Sequence, residues 1–269
     1  MSVAEPARGV PVTVAALVTM AAWRVLRGRP PGGAARWTRS NFRGEPVSLT
    51  LGPAVALGTL AGLVVAGPRD RRAGVLLVIA TAGVGGYDDL YGDRHARGLR
   101  GHLRALRDGR VTTGMVKLVG LVSAAATADL LRHQRPVVVA VDSVLVAGTA
   151  NLVNLLDLRP GRAGKVSAIK AAALMAGGDT GPAAAALGAA IAALPPDLGE
   201  HGMLGDCGAN TLGALLGWSA CRTVPPVGRL LLAAAVVALT LAGERVSFSA
   251  VIDAHPALRG LDRAGAAPR

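Results

Sequence analysis

The feature that most constrains this chain is a recurrence. Nine apolar runs, at residues 9–26, 47–66, 73–86, 111–131, 136–153, 166–178, 181–195, 209–224 and 227–242, are separated by short polar links, several of them rich in arginine and glycine. In hydrocarbon every backbone N–H and C=O must find a partner within the protein, and a helix satisfies them segment by segment. The sequence therefore reads as an all-α, polytopic integral membrane bundle of about nine transmembrane helices. At 51% hydrophobic and only 17% charged residues, it is too apolar for an ordinary soluble domain. Aromatic residues make up 3% of the chain while glycines number 36, so the helices should pack closely through small residues. The runs 166–178 and 181–195 are short for a hydrocarbon core of about 30 Å at about 1.5 Å per residue, and read as tilted, broken or shielded.

A net charge of +12 would direct a soluble protein towards nucleic acid, but the arginines follow a different rule. They concentrate in alternate links, as the positive-inside rule requires. With the N-terminus outside and the C-terminus cytoplasmic, the inner segments hold 18 Lys and Arg and the outer ones 8, the basic outer link at 67–74 being an exception. The basic residues near run 9–26 mostly follow it, so it reads as a retained span and not as a cleaved signal. Residues 1–242 then form one transmembrane domain. Residues 243–269 form a cytoplasmic tail, either disordered or amphipathic through Val246, Phe248, Val251, Ile252, Leu258 and Leu261, with Pro256 interrupting it. Cys207 and Cys221 imply no disulfide framework.

On this topology four polar loops share the cytoplasmic side: 41–45, 88–93, 151–165 and 205–210. Adjacent carboxylates at Asp88 and Asp89, ending the run 73–86, are costly beside a membrane segment unless a cation or substrate compensates them. Aspartates in three of the loops suit Mg²⁺, which takes carboxylate and water oxygens and grips phosphates. The glycines around Asp206, in LGDCGANTLG, would let backbone approach a phosphate. Lys117 lies about two turns inside its run, where an ionisable residue is a functional candidate unless it snorkels to the headgroups. Asp142 reads as a partner for a neighbouring helix. His95 and His102 lack metal-ligand spacing, so solvated or phosphate-contacting roles come first.

Three motifs, in order, resemble the polyprenyl-phosphate N-acetylhexosamine-1-phosphate transferase family. They are the pair Asp88–Asp89 at the end of a span, the run Asn151, Asn154 and Asp157, and the run Gly205, Asp206, Gly208, Leu212 and Gly213. The loop from Asn41 through Arg43 is loosely similar to the family's first cytoplasmic loop. The resemblance implies a multi-pass enzyme of the bacterial inner membrane whose site faces the cytoplasm. A polyprenyl phosphate attacks the β-phosphate of a UDP-sugar there, releasing UMP with Mg²⁺ in cell-envelope glycan assembly. Carried over by motif, Asp206 and Asp88 would ligate the metal, and Asp88 and Asp89 would position or deprotonate the lipid phosphate. Lys117 would neutralise phosphate charge. Asp157, Asn151 and Asn154 would hold the nucleotide-sugar, with Asn41, Arg43 and His102 as further substrate contacts and a homodimer as a compatible assembly.

The departures are specific. Pro160 stands where the family carries a second acid, Met203 where an aromatic residue is common, and neither the histidine-rich loop nor the final span of the family is present. They point to an N-acetylglucosamine-type or divergent branch, and leave open a catalytically degenerate member that binds lipid phosphate or an envelope partner without turnover. A transporter is a third reading, without a visible internal repeat to support it.

Overall fold

A computed structural model describes residues 9–68, 71–92, 98–179 and 181–265. The chain enters through α1 (Gly9–Gly28) and a single turn, α2 (Ala34–Trp37). It then forms an antiparallel hairpin of β1 (Thr38–Ser40) and β2 (Pro46–Ser48), with Thr38 opposite Ser48 and Ser40 opposite Pro46. This hairpin, with a single parallel bridge from Ser48 to Gly202, is the departure from an all-α chain among the described residues. Its turn is made locally: the Asn41 side-chain oxygen accepts the amides of Arg43 and Glu45, and Gly44 takes a positive φ.

The helices follow as α3 (Leu51–Val65), α4 (Arg71–Tyr91), α5 (Gly98–Arg107), α6 (Thr113–Leu130) and α7 (Pro136–Leu156). After these come α8 (Arg162–Ala176), α9 (Pro182–Leu198), α10 (Gly205–Thr223) and α11 (Pro226–Gly243). A tail of two short helices, α12 (Phe248–Ala254) and α13 (Pro256–Arg263), completes the fold. Several elements outrun their apolar runs. Helix α4 continues through Asp88 and Asp89, α10 begins four residues before Ala209, and α5 occupies a stretch that reads as loop.

Helix α10 is the axis of the bundle. Every residue from Cys207 to Cys221 is buried, against α3, α4, α7, α8 and α9. Small residues make this possible: a Cβ added at Gly213 would lie 2.6 Å from the Ala150 Cα of α7, so only a hydrogen fits there. Around this axis α1 packs on α3 and α9, α6 on α4 and α7, and α11 on α7. Among the described residues five helices, α1, α4, α6, α7 and α11, are long and apolar enough to cross a membrane, while α3 and α9 are apolar but shorter. Only 11% of the apolar window of α11 is buried, so Leu230, Leu231, Leu239 and their neighbours point away from the protein, an arrangement suited to lipid.

Buried ion pairs lock one end of this bundle. Arg229 of α11 donates to Asp142 of α7 at 2.7 Å, and Arg132 donates to Asp129 of α6 at 3.2 Å. Asp179 accepts the amides of Gly181 and Ala183 at the start of α9 and the Ser219 hydroxyl of α10. The Trp218 ring lies 5.7 Å from the Arg132 guanidinium and 5.2 Å from that of Arg222. The candidate site lies at the opposite end, where α4 and α7 finish and α6 and α10 begin.

Candidate functional site

The first turn of any helix leaves amide hydrogens without intrahelical partners and carries the positive end of the helix dipole. In α10 the protein's own carboxylates take those amides. Gly205 donates to Asp157 Oδ2 at 2.8 Å, while Asp206 and Cys207 donate to Asp89 Oδ1 and Oδ2, each at 2.9 Å. The three amides that a phosphate at this glycine-rich turn would meet are engaged by these carboxylates. Two glycines permit the approach. Gly205 has φ +60°, and a Cβ there would stand 2.8 Å from both Asp89 oxygens. A Cβ at Gly85 of α4 would lie 2.4 Å from the Asp206 carbonyl oxygen.

Asp88 and Asp89, consecutive on α4, diverge by about 100° around the helix and do different work. Asp89 turns to the α10 amides. Asp88 turns to α6, where Lys117 Nζ donates to Asp88 Oδ2 at 2.9 Å and also to Asp206 Oδ2. Lys117 lies in the second turn of a helix capped by Thr112, nearer the helix start than the run 111–131 suggests. It bridges two carboxylates instead of snorkelling away. The three side chains are only 16–19% exposed. Arg39 of the hairpin donates to the Asp89 backbone carbonyl and ties the first loop to this centre.

Four carboxylates, of Asp88, Asp89, Asp157 and Asp206, converge with one ammonium, so the centre has an excess of negative charge that protons or a further cation must balance. Among the described residues, no group of three or more His, Cys, Asp or Glu side chains forms a cage for an ion. Mg²⁺ does not require one, since it is commonly held by one or two carboxylates with substrate phosphates and waters completing its shell. Asp88 and Asp206, which share one cation already, fit that donor set. Asp89 and Asp157 fit it less well, because three of their four oxygens accept α10 amides.

A narrow cleft adjoins this centre, between the hairpin and the loop after α7. Asn41, Phe42, Asp157, Arg159, Asp197 and Glu200 are among its lining residues. Asn41 Nδ2 donates to Glu200 Oε2 at 2.6 Å and Arg43 pairs with Glu200 Oε1 at 3.1 Å. Phe42 has guanidinium groups near its ring, Arg159 at 4.5 Å and Arg43 at 5.2 Å. Asp157, the C-cap of α7, is 4% exposed, and its Oδ1 is buried with no hydrogen-bond partner among the described residues. Burial, reinforced by the Asp197 carboxylate, holds the Asp157 carboxyl well above the usual carboxylate range.

The structure thus joins Asp88, Asp89, Lys117, Asp157 and Asp206 in one centre and sets Asn41 and Arg43 at the adjoining cleft. Two other candidates, Asn151 and His102, have their partners outside this centre. The Asn151 amide meets Thr240 Oγ1 of α11 at 3.5 Å, and the Asn154 side chain makes no hydrogen bond with the described residues. His102 Nδ1 is 2.8 Å from Thr112 Oγ1, so it buttresses the start of α6. His95 lies outside the described residues. Sequence reasoning missed Asp197 and Glu200, which follow the Pro195–Pro196 pair that α9 carries through to Leu198. Their signal was an acidic pair in a link with no Lys or Arg. The chain matches no protein-family model and no curated protein significantly.

Proposed function

We propose that the protein is a Mg²⁺-dependent phosphoglycosyl transferase that moves a sugar-1-phosphate, of the N-acetylhexosamine class, from a UDP-sugar to a polyprenyl phosphate. The observation that carries this reading is the Asp88–Lys117–Asp206 bridge, held in place by Asp89 and Asp157 at the start of α10. Such an arrangement suits phosphoryl transfer, which depends on alignment and on stabilising negative charge spread over phosphate oxygens. In the reaction an oxygen of the lipid phosphate forms a bond to the β-phosphorus while the bond between that phosphorus and the oxygen of UMP breaks. Asp88, with one oxygen on Lys117, orients the attacking phosphate and takes its proton when it is protonated. Lys117 offsets the charge of the diphosphate. Asp88 and Asp206 would hold Mg²⁺, which would supply further positive charge to the diphosphate.

Asp89 and Asp157 act on this reading as positioning residues, since their oxygens fix the turn that presents Asp206. The cleft beside Asp157 would take the donor, with Phe42 and the Arg159 guanidinium at its wall. The proposal includes nine crossings by α1, α3, α4 and α6–α11, an outer N-terminus, and a site on the cytoplasmic face of a bacterial inner membrane. Purified protein in lipid should release UMP from a UDP-sugar only when undecaprenyl phosphate and Mg²⁺ are present, and Asp206→Asn should abolish release. A second reading rests on Pro160 and on an ammonium that already bridges the two metal-binding candidates: a family member that binds lipid phosphate without turnover. Tight binding of undecaprenyl phosphate with no UMP from any UDP-sugar would select it.

A further inference from the structure

The tail after α11 is held to the bundle in an unusual way. No residue of α12 or α13 is buried, and Val246, Val251, Leu258 and Leu261 are 38–63% exposed. Phe248 and Ile252 are only half-buried, so little apolar burial holds it. Instead it grips one side chain that is itself almost wholly enclosed. Arg162, the first residue of α8 and 4% exposed, donates from Nε and Nη2 to the two Asp262 oxygens at 2.7 and 2.9 Å. Its Nη1 donates to Ser249 Oγ at 2.9 Å. Lys165 Nζ donates to the carbonyls of Asp262 and Leu261 at 2.7 and 3.2 Å, capping the end of α13. A two-pronged Arg–carboxylate pair in so enclosed a place has a fixed geometry.

A segment fastened by charge while its leucines and valines stay uncovered needs an apolar neighbour. Two observations identify it. The uncovered residues continue from α11, whose apolar side chains already face outward and which ends at Gly243, three residues before Val246. Arg245, Arg259 and Arg263 are exposed among them, a pattern that matches an anionic lipid surface. We propose that α12 and α13 are a strap lying on an anionic bilayer leaflet, and that through Asp262 and Arg162 this strap fixes the loop between α7 and α8. That loop carries Arg159 and Pro160 of the cleft wall and begins at Asp157. The membrane surface is thereby part of what holds the candidate site in shape.

The test uses the full chain in nanodiscs, with an environment-sensitive fluorophore on Leu258→Cys. Cys207 and Cys221 are buried and stay unlabelled. In phosphatidylglycerol-containing discs the label should be quenched by spin-labelled lipid and shielded from iodide, relative to a label on Glu45→Cys in the hairpin turn. Phosphatidylcholine discs should give weaker lipid quenching. Iodide access equal to that at residue 45, with no lipid quenching, would overturn the proposal. Asp262→Asn should speed amide exchange at residues 159–165 about tenfold, equivalent to about 1.4 kcal/mol of local stability. Unchanged exchange there would overturn the coupling. Neither readout depends on turnover, so the strap and the transferase reading can fail separately.

Discussion

Gly205→Ala isolates the contact on which the candidate site depends. Gly205 sits at φ +60°, where an L-residue costs about 1–2 kcal/mol. Its new Cβ would also stand 2.8 Å from both Asp89 oxygens, too close for either to remain. Displacing Asp89 far enough to lose one of its two amide bonds costs about 1.5–3 kcal/mol, as expected for a hydrogen bond to a charged group. The sum is about 2.5–5 kcal/mol, a large share of the 5–15 kcal/mol by which folded proteins are usually stable. Gly44→Ala is the control: it has φ +84° but nothing within 4 Å of its Cβ, so only the backbone cost of about 1–2 kcal/mol applies. Unfolding in detergent, followed by circular dichroism, would measure both. The double variant Asp89→Ala/Gly205→Ala should be less destabilised than the two single effects summed, because the clash has no partner. A Gly205→Ala protein no less stable than Gly44→Ala would refute the reasoning.

Other expectations follow from the same contacts. Lys117→Met leaves Asp88 and Asp206 facing each other without their ammonium and should cost about 3 kcal/mol, at the low end for breaking a buried pair because the group is partly exposed. Thermal melts in detergent check it, and millimolar Mg²⁺ should recover more stability in this variant than in the parent. Asp157, with its carboxyl raised by burial, favours the folded state most below pH 3.8, and this contribution is lost as pH rises through its higher folded value. Asp157→Asn should therefore be the more stable protein at pH 8, with a flatter pH profile in the same melts. The Arg162 hydrogen bonds hold Asp262 below 3.8, so the strap is fully fastened above that pH and loosens as pH falls through its lower folded value. Limited proteolysis of the tail against pH should show this acid-side release, and Asp262→Asn should abolish the dependence.

How much of this was legible in the sequence differs from residue to residue. The apolar periods marked the helices, and the order of the Asp88, Asp157 and Asp206 motifs brought three carboxylates to one end of the bundle. What a motif cannot give is direction around a helix axis. Asp88 and Asp89 looked like equal partners, but one rotation step sends the first to Lys117 and the second to the α10 amides. Asn151 and Asn154 shared a motif with Asp157, yet Asn151 meets Thr240 on α11. Which neighbour a helix face meets depends on packing far along the chain, here on Gly213 against Ala150. The hairpin escaped because its turn is closed by one Asn41 side chain over five residues, too short for any periodicity. The Arg162–Asp262 pair escaped because its partners lie 100 residues apart.

The central claim is that the Asp88–Lys117–Asp206 bridge serves transfer of a sugar phosphate to a lipid phosphate. The most direct measurement is UMP release by the protein in nanodiscs containing undecaprenyl phosphate, over a panel of UDP-N-acetylhexosamines, with and without Mg²⁺. UMP should form with at least one donor and stop on omission of Mg²⁺ or lipid phosphate, and in the Asp206→Asn and Asp88→Asn variants. A folded protein that releases no UMP from any donor, or an Asp206→Asn protein that releases it at the parent's rate, would contradict the account.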